Sequence, residues 1–200
     1  MSRNDLSRAA LVAALLPACA LPAAAQASTR APMYFDAGSA AVHDATRDAT
    51  LDELDGLGVR AVRMTLVWAA VAPDAGSATR PAFDATDPNA YDWGGYSRLV
   101  DAAHARGWRV LITFSAPVPR WATAARTDQV TRPDPEAFRA FATAAGRRFG
   151  DAVDAWGLWN EPNHPGFLRP QIVHGKPVSP ALYRALHSAG TRGLAAGQRP

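Results

Sequence analysis

The sequence predicts a parallel α/β fold, and three observations carry that prediction. Four apolar, strand-like runs recur along the chain, each followed by a segment whose apolar residues repeat at helical spacing. The runs are hydrophobic almost throughout, as strands covered on both faces are. The punctuation between them is of the type that ends one element and opens the next: glycines past the helices, Asp-Pro and Ser-Pro before them.

In order, Ala31 to Ala37 reads as a short strand ending at Asp36, and Ala45, Ala49, Leu51, Leu54 and Leu57 as the apolar stripe of a helix closed by Gly56 and Gly58. The second strand runs from Val59 to Trp68. A Pro/Asp/Gly-rich loop then reaches Asp92, and Tyr96, Leu99, Val100 and Ala103 mark a helix that stops at Gly107. The third strand is Trp108 to Phe114. After a long loop, Asp134-Pro135-Glu136 supplies an N-cap, a first-turn proline and an acid suited to a helix start, and Phe138, Phe141, Ala142, Ala145 and Phe149 follow on one face. The fourth strand-like run is Val153 to Trp159. Its helix opens at Ser179-Pro180, carries Leu182, Tyr183, Leu186 and Leu194, and is expected to end before Gly197.

A doubly wound sheet would more often carry a glycine-rich phosphate turn after its first strand, and Phe35-Asp36-Ala37-Gly38-Ser39 lacks that spacing. A barrel fits better. The parity of the second strand agrees: Val62, Met64 and Leu66 form a greasy face for helices, while Ala61, Arg63 and Thr65 form a small, polar face that would point into the barrel. An inward arginine costs several kcal/mol unless paired, so Arg63 calls for a carboxylate partner. The alternative is an Arg63 that faces the helices, since Arg60 and Arg63 have opposite parity. A (β/α)8 barrel typically needs about 250 residues and eight strands. The expectation is therefore a TIM-type α/β barrel of which the first four βα units are present.

The first 27 residues stand apart from that domain. Arg3 and Arg8 precede an apolar run from Ala9 to Ala25, interrupted by Pro17 and Pro22, and Ala25-Gln26-Ala27 has the small-x-small form of a cleavage site. Residues 1–27 read as a signal peptide, which implies a secreted, periplasmic or cell-surface protein. A spanning helix would need about 20 uninterrupted apolar residues. Cys19 is the single cysteine and lies inside this segment; Leu16-Pro17-Ala18-Cys19 loosely resembles a lipobox, in which the cysteine would be lipidated, although Pro17 fits poorly. Removing the segment leaves 19 basic against 17 acidic residues, a net charge of +2, too small for a nucleic-acid reading. The histidines are scattered singly, with no metal-ligand spacing, and no cofactor is expected.

The chemistry concentrates near residue 160, in Trp156-Gly157-Leu158-Trp159-Asn160-Glu161-Pro162-Asn163. A proline after Glu161 removes a backbone donor and favours extended geometry for Glu161, so the strand is expected to end there with the carboxylate aimed off its tip. The alternative is a surface turn acid capping a following helix. Trp-Asn-Glu-Pro-Asn resembles the fourth-strand motif of clan A glycoside hydrolases, the (β/α)8 group that includes cellulases, β-mannanases and β-xylosidases. Val62-Arg63-Met64-Thr65-Leu66-Val67-Trp68 resembles the second strand of family 5 cellulases.

The resemblance, of family 5 or family 39 type, covers the N-terminal half of such a barrel. It implies that Glu161 is the general acid/base, that Asn160 bonds a sugar 2-hydroxyl, and that Arg63 lies beneath the catalytic carboxylates and bonds the nucleophile. Hydrolysis would be retaining, through two carboxylates about 5 to 5.5 Å apart, and the partner a carbohydrate. Trp68 and Trp121, at or past strand ends, are candidates to stack on pyranose faces, as are Phe114 and Trp159; Trp156 is expected against the helices, and Trp93 and Trp108 in packing. Core burial is the alternative for all the aromatics. His164 is expected in a loop near the cleft, because Pro162 and Pro165 forbid a helix there.

The family's nucleophile is a glutamate ending the seventh strand, and Glu53 and Glu136 are not at strand ends. The chain taken alone is thus expected to be catalytically incomplete and, with two unpaired strand edges, to dimerise, aggregate or remain loose. Two rival readings stand: a secreted, non-catalytic carbohydrate-binding or cell-surface module, and a different hydrolase that uses Asp36 with Glu161.

Overall fold

The computed structural model describes residues 33–198; the segment read as a signal peptide and Cys19 lie outside them. Strands β1 (Phe35–Asp36), β2 (Ala61–Val67), β3 (Arg109–Ser115) and β4 (Ala155–Gly157) form one parallel sheet in the order β1-β2-β3-β4. Helices α1 (Asp44–Gly56), α3 (Gly94–Ala105), α4 (Pro135–Phe149) and α5 (Ser179–Gly197) follow the four strands in turn, and a four-residue helix α2 (Trp68–Val71) continues directly from β2. Crossovers between parallel strands are right-handed. With that hand, a strand order that never reverses puts every helix on one face, the arrangement of a barrel wall rather than of a doubly wound sheet.

Burial agrees with this one-sided layering. Val62, Met64, Leu66, Val110, Ile112 and Phe114, alternating along β2 and β3, have no exposed surface. They meet an aromatic layer contributed by the helices and loops. Phe141 of α4 lies stacked on Trp68 with centroids 5.0 Å apart, with Tyr91 at 5.4 Å and Trp93 at 5.9 Å on the same ring. Phe138 meets Phe114 at 5.5 Å and Trp159 at 5.2 Å. The opposite face carries Arg63, Thr65, Val67, Leu111, Thr113 and Ser115, more polar than the helical face and in part only half-buried.

The helix starts follow their local chemistry. Asp134 accepts from the amides of Glu136 (2.8 Å) and Ala137 (3.2 Å), capping α4, and Pro135 occupies the first turn. Helix α5 begins at Ser179 as expected but runs through Gly197 rather than stopping before it. The reason is packing: a side chain at Gly193 or Gly197 would drive into the carbonyl of Arg139 or Thr143, so these glycines let α5 lie directly on α4. Close backbone approach is worth more here than the roughly 1 kcal/mol a helical glycine costs.

Strand limits and one connection differ from the sequence expectation. Strand β2 is shorter than Val59–Trp68, because Trp68 turns into α2 and buries its ring. Strand β4 covers only Ala155–Gly157. The long segment after it also contains an unforeseen hairpin, β5 (Ile172–Val173) and β6 (Lys176–Pro177), closed by His174 and Gly175. Both turn residues have positive φ, 47° and 72°, as a two-residue turn matched to the twist of its strands requires.

Candidate active site

Two neighbouring strands and the segment after β4 converge on Arg63. Its side chain leaves β2 on the face away from the helices, retains 27% exposure, and forms an ion pair with Asp36 at the end of β1. Nε donates to the Thr113 hydroxyl on β3 at 2.9 Å, and Nη2 donates to Asn160 Oδ1, just past β4, at 2.7 Å. One guanidinium therefore ties β1, β2, β3 and the segment after β4 together. The carboxylate partner that an inward arginine requires is Asp36, whose Oδ1 also accepts from the Gly38 amide at 3.1 Å. Such charge-assisted bonds are the strong ones, though the half-exposed position moderates them.

Thr113 can stand where it does because Gly157 faces it across the sheet. The two are register partners, and a Cβ on Gly157 would lie 2.6 Å from the Thr113 hydroxyl. Sequence reasoning missed both residues, and missed Asp36 as the partner of Arg63. The signals were present: a threonine among greasy residues with the parity of the inward face, a glycine inside a strand, and an acid ending the first strand.

Glu161 follows Asn160 directly and is exposed. Its backbone corrects the expectation of extended geometry: φ is +42°, in the left-handed region. The strand has ended four residues earlier, at Gly157, and the Glu161 carbonyl closes a turn by accepting from the His164 amide at 2.9 Å. A non-glycine residue there carries strain of about 1 kcal/mol or more, and such strain clusters where a side chain must be aimed for function. Among the described residues no hydrogen-bond donor meets the Glu161 carboxylate, so it is open to a ligand. His164 is exposed in the same loop, and its Nδ1 accepts from the Gly166 amide at 3.0 Å, which leaves Nε2 as the outward nitrogen.

Neither Trp68 nor Trp121 has the position expected of a sugar platform. Trp68 is fully buried and Trp121 is 4% exposed, 6.1 Å apart edge to face, and the Trp121 ring nitrogen donates to the Pro73 carbonyl at 3.1 Å. Both rings are committed to the core, because β2 gives way to α2 at Trp68 and the loop after β3 folds back over it. Phe114 and Trp159 are likewise buried. Trp156 is stacked on Phe114 at 5.2 Å, on the helical side, and Trp93 and Trp108 pack in the core.

The loops leaving β2, β3 and β4 are fastened to one another. Arg120 N donates to Ala75 O and Arg132 N to Arg169 O, each at 2.8 Å, and Arg169 N donates to Val130 O at 3.0 Å. Asp128 organises the middle loop by accepting from the Thr131 hydroxyl (2.6 Å), Thr131 N (2.8 Å) and Val130 N (3.0 Å). Burial pushes its carboxyl pKa up, but these hydrogen bonds outweigh that and hold it below the ordinary value. Among the described residues no three histidine, cysteine or acidic side chains come together as a metal site, and no helix is long and apolar enough to cross a membrane.

Comparison with known proteins places this geometry in a class of folds. No protein-family profile and no curated protein matches the chain. Solved structures do. The chain superposes on SghA, a virulence factor from Agrobacterium tumefaciens, with a TM-score of 0.53 and 22% identity over 76% of this chain and 34% of that one. That protein has also been solved with its substrate analogue salicin. The β-glycosidase of Thermosphaera aggregans matches with a TM-score of 0.51 and 16% identity over 74% of this chain and 39% of that one. A hyperthermophilic β-glucosidase from Pyrococcus furiosus matches at 0.50 and 16%, over 72% and 40%. The chain thus spans little more than a third of the first of these structures, and what it shares with them is the fold: a mixed α/β wall built on a parallel sheet, as in part of a glycosidase barrel.

Proposed function

We propose that the chain is the first four βα units of a (β/α)8 retaining O-glycoside hydrolase, of the clan A type that its motifs resemble. Glu161 is the general acid/base. It protonates the leaving glycosidic oxygen and then takes a proton from the water that releases the sugar. Asn160 is the adjoining sugar contact, Arg63 holds it, and His164 lies at the margin of the cleft. The substrate is a β-linked oligo- or polysaccharide, and residues 1–27 direct the protein to the secretory route. The observation that carries this reading is the junction of Arg63 with Asn160 on the face away from the helices, immediately before a strained, exposed Glu161.

Asp36 is not proposed as the nucleophile. It ends the first strand, whereas the nucleophile of the family that the motifs resemble ends the seventh. The nucleophile in this reading is a glutamate on a later strand, outside the described residues.

The test is leaving-group dependence in the full-length protein. Glu161→Gln is expected to cut turnover of glycosides with poor leaving groups by 10²–10⁴-fold, while aryl glycosides that need little protonation retain glycosylation. Azide should restore turnover to Glu161→Ala. Equal loss on both substrate classes, with no azide rescue, overturns the assignment.

A further inference from the structure

We propose that Asp36 is a positioning residue: acting through Arg63, it fixes which way the Asn160 amide faces. The inference rests on the reading of Asn160 as a ligand contact. Arg63 can only donate hydrogen bonds, so the atom of Asn160 that meets Nη2 at 2.7 Å is the oxygen. The amide NH2 then faces the other way, and among the described residues no protein acceptor meets it. Asn160 therefore offers its two N–H donors beside Glu161, and a ligand must meet it with an oxygen acceptor such as a hydroxyl or ring oxygen. Rotation of the amide by half a turn would set its NH2 against the guanidinium and present the carbonyl instead.

What prevents that rotation is the orientation of the guanidinium, and three partners set it. Thr113 takes Nε, Asn160 takes Nη2, and Asp36 takes Nη1. Thr113 and Asn160 are neutral, so Asp36 is the charged anchor, itself held in place by the Gly38 amide. Without that charge the planar fork is free to swing about its long side chain towards solvent, since Arg63 is partly exposed already. Asp36 lies on β1 and Asn160 follows β4, at opposite ends of the sheet order. The donor polarity of the cleft at β4 is thus set by an acid on the far edge strand.

The experiment monitors the Asn160 side-chain amide by NMR in the ¹⁵N-labelled full chain, with the signal assigned by its loss in Asn160→Asp. Asp36→Asn is nearly isosteric and keeps an oxygen for Gly38 N–H while removing the charge. It is expected to move the Asn160 NH2 pair to the position of a solvent-exposed asparagine and to speed exchange of the Arg63 Nε proton at least tenfold, with the backbone spectrum otherwise retained. In an Arg63→Ala background the same substitution should leave the Asn160 signals where Arg63→Ala alone put them, a dependence that a general structural role of Asp36 would not show. Asn160 signals unmoved by Asp36→Asn, or moved equally with and without Arg63, overturn the proposal. In the unmutated chain the Arg63 Nη protons should resolve at low temperature as separate, slowly rotating groups; a single averaged signal overturns it without any variant. None of these readings uses a substrate, so they stand or fall apart from the Glu161 kinetics.

Discussion

The two faces of one sheet are built from the same strands and do opposite things. On β2 and β3, every second residue faces the helices: Val62, Met64, Leu66, Val110, Ile112 and Phe114 are sealed under an aromatic layer. The residues between them face the other way, and there an arginine is joined to an aspartate, a threonine and an asparagine. The helical face is held by apolar area, which is non-directional and tolerant of small shifts. The inner face is held by a few directional bonds that fix angles. Stability and chemistry are therefore assigned to alternate residues of the same strands, and substitutions one position apart should report on different properties.

That separation can be tested from its strongest side first. Trp68→Ala removes a fully buried ring stacked on Phe141 and should destabilise by about 3–5 kcal/mol, measured by urea unfolding; a change below about 1 kcal/mol would mean that the aromatic layer does not carry the fold. Gly157→Ala adds a methyl against Thr113, whose branched side chain has few alternative rotamers. The expected cost is about 1–3 kcal/mol, accompanied by loss of the Arg63 Nε bond, which would appear as faster exchange of that proton.

Asp128→Asn tests the loop rather than the sheet. Because the folded carboxyl lies below its ordinary value, its contribution is fully present above the unfolded pKa of about 3.9 and is lost as pH falls through the folded value. The variant should be less stable than the parent by about 1 kcal/mol at neutral pH, and the two should converge in acid. The smallest effect is expected at Glu161→Gly. Glycine relieves the positive φ but adds freedom to the unfolded chain, so stability should stay within about 0.5 kcal/mol of the parent. A loss of about 2 kcal/mol, well outside the range of ordinary surface substitutions, would place Glu161 in the structural framework rather than among the chemical groups.

Much of the fold was legible because it is periodic. Alternation along Val62 to Leu66 named the helical face correctly, and the apolar stripes of α3 and α4 matched their buried residues, since amphipathic spacing and burial are two expressions of one constraint; in α1 only Leu51 and Leu54 are buried, while Ala45, Ala49 and Leu57 are exposed. The inward turn of Arg63 followed from the same parity. What was not legible depended on the chain's path beyond its periodic parts. The rings of Trp68 and Trp121 were placed by sequence position at strand ends, but a turn into α2 and a loop folded back from β3 took both into the core. Glu161-Pro162 suggested extended backbone, yet the turn closed by His164 overrode the local preference. Pairing across strands, as of Asp36 with Arg63 and Thr113 with Gly157, depends on register, which no single strand encodes.

The loops at the strand ends are joined mainly through main-chain groups: Arg120 to Ala75, Arg132 to Arg169, Arg169 to Val130. An amide and a carbonyl are present whatever residue carries them, proline's missing N–H apart. Apart from side chains that fasten the loops themselves, such as Asp128 and Trp121, those of the rim are accordingly free to drift in sequence while it keeps its shape, and a lineage could acquire a new ligand preference by single substitutions, without first rebuilding the architecture that presents them.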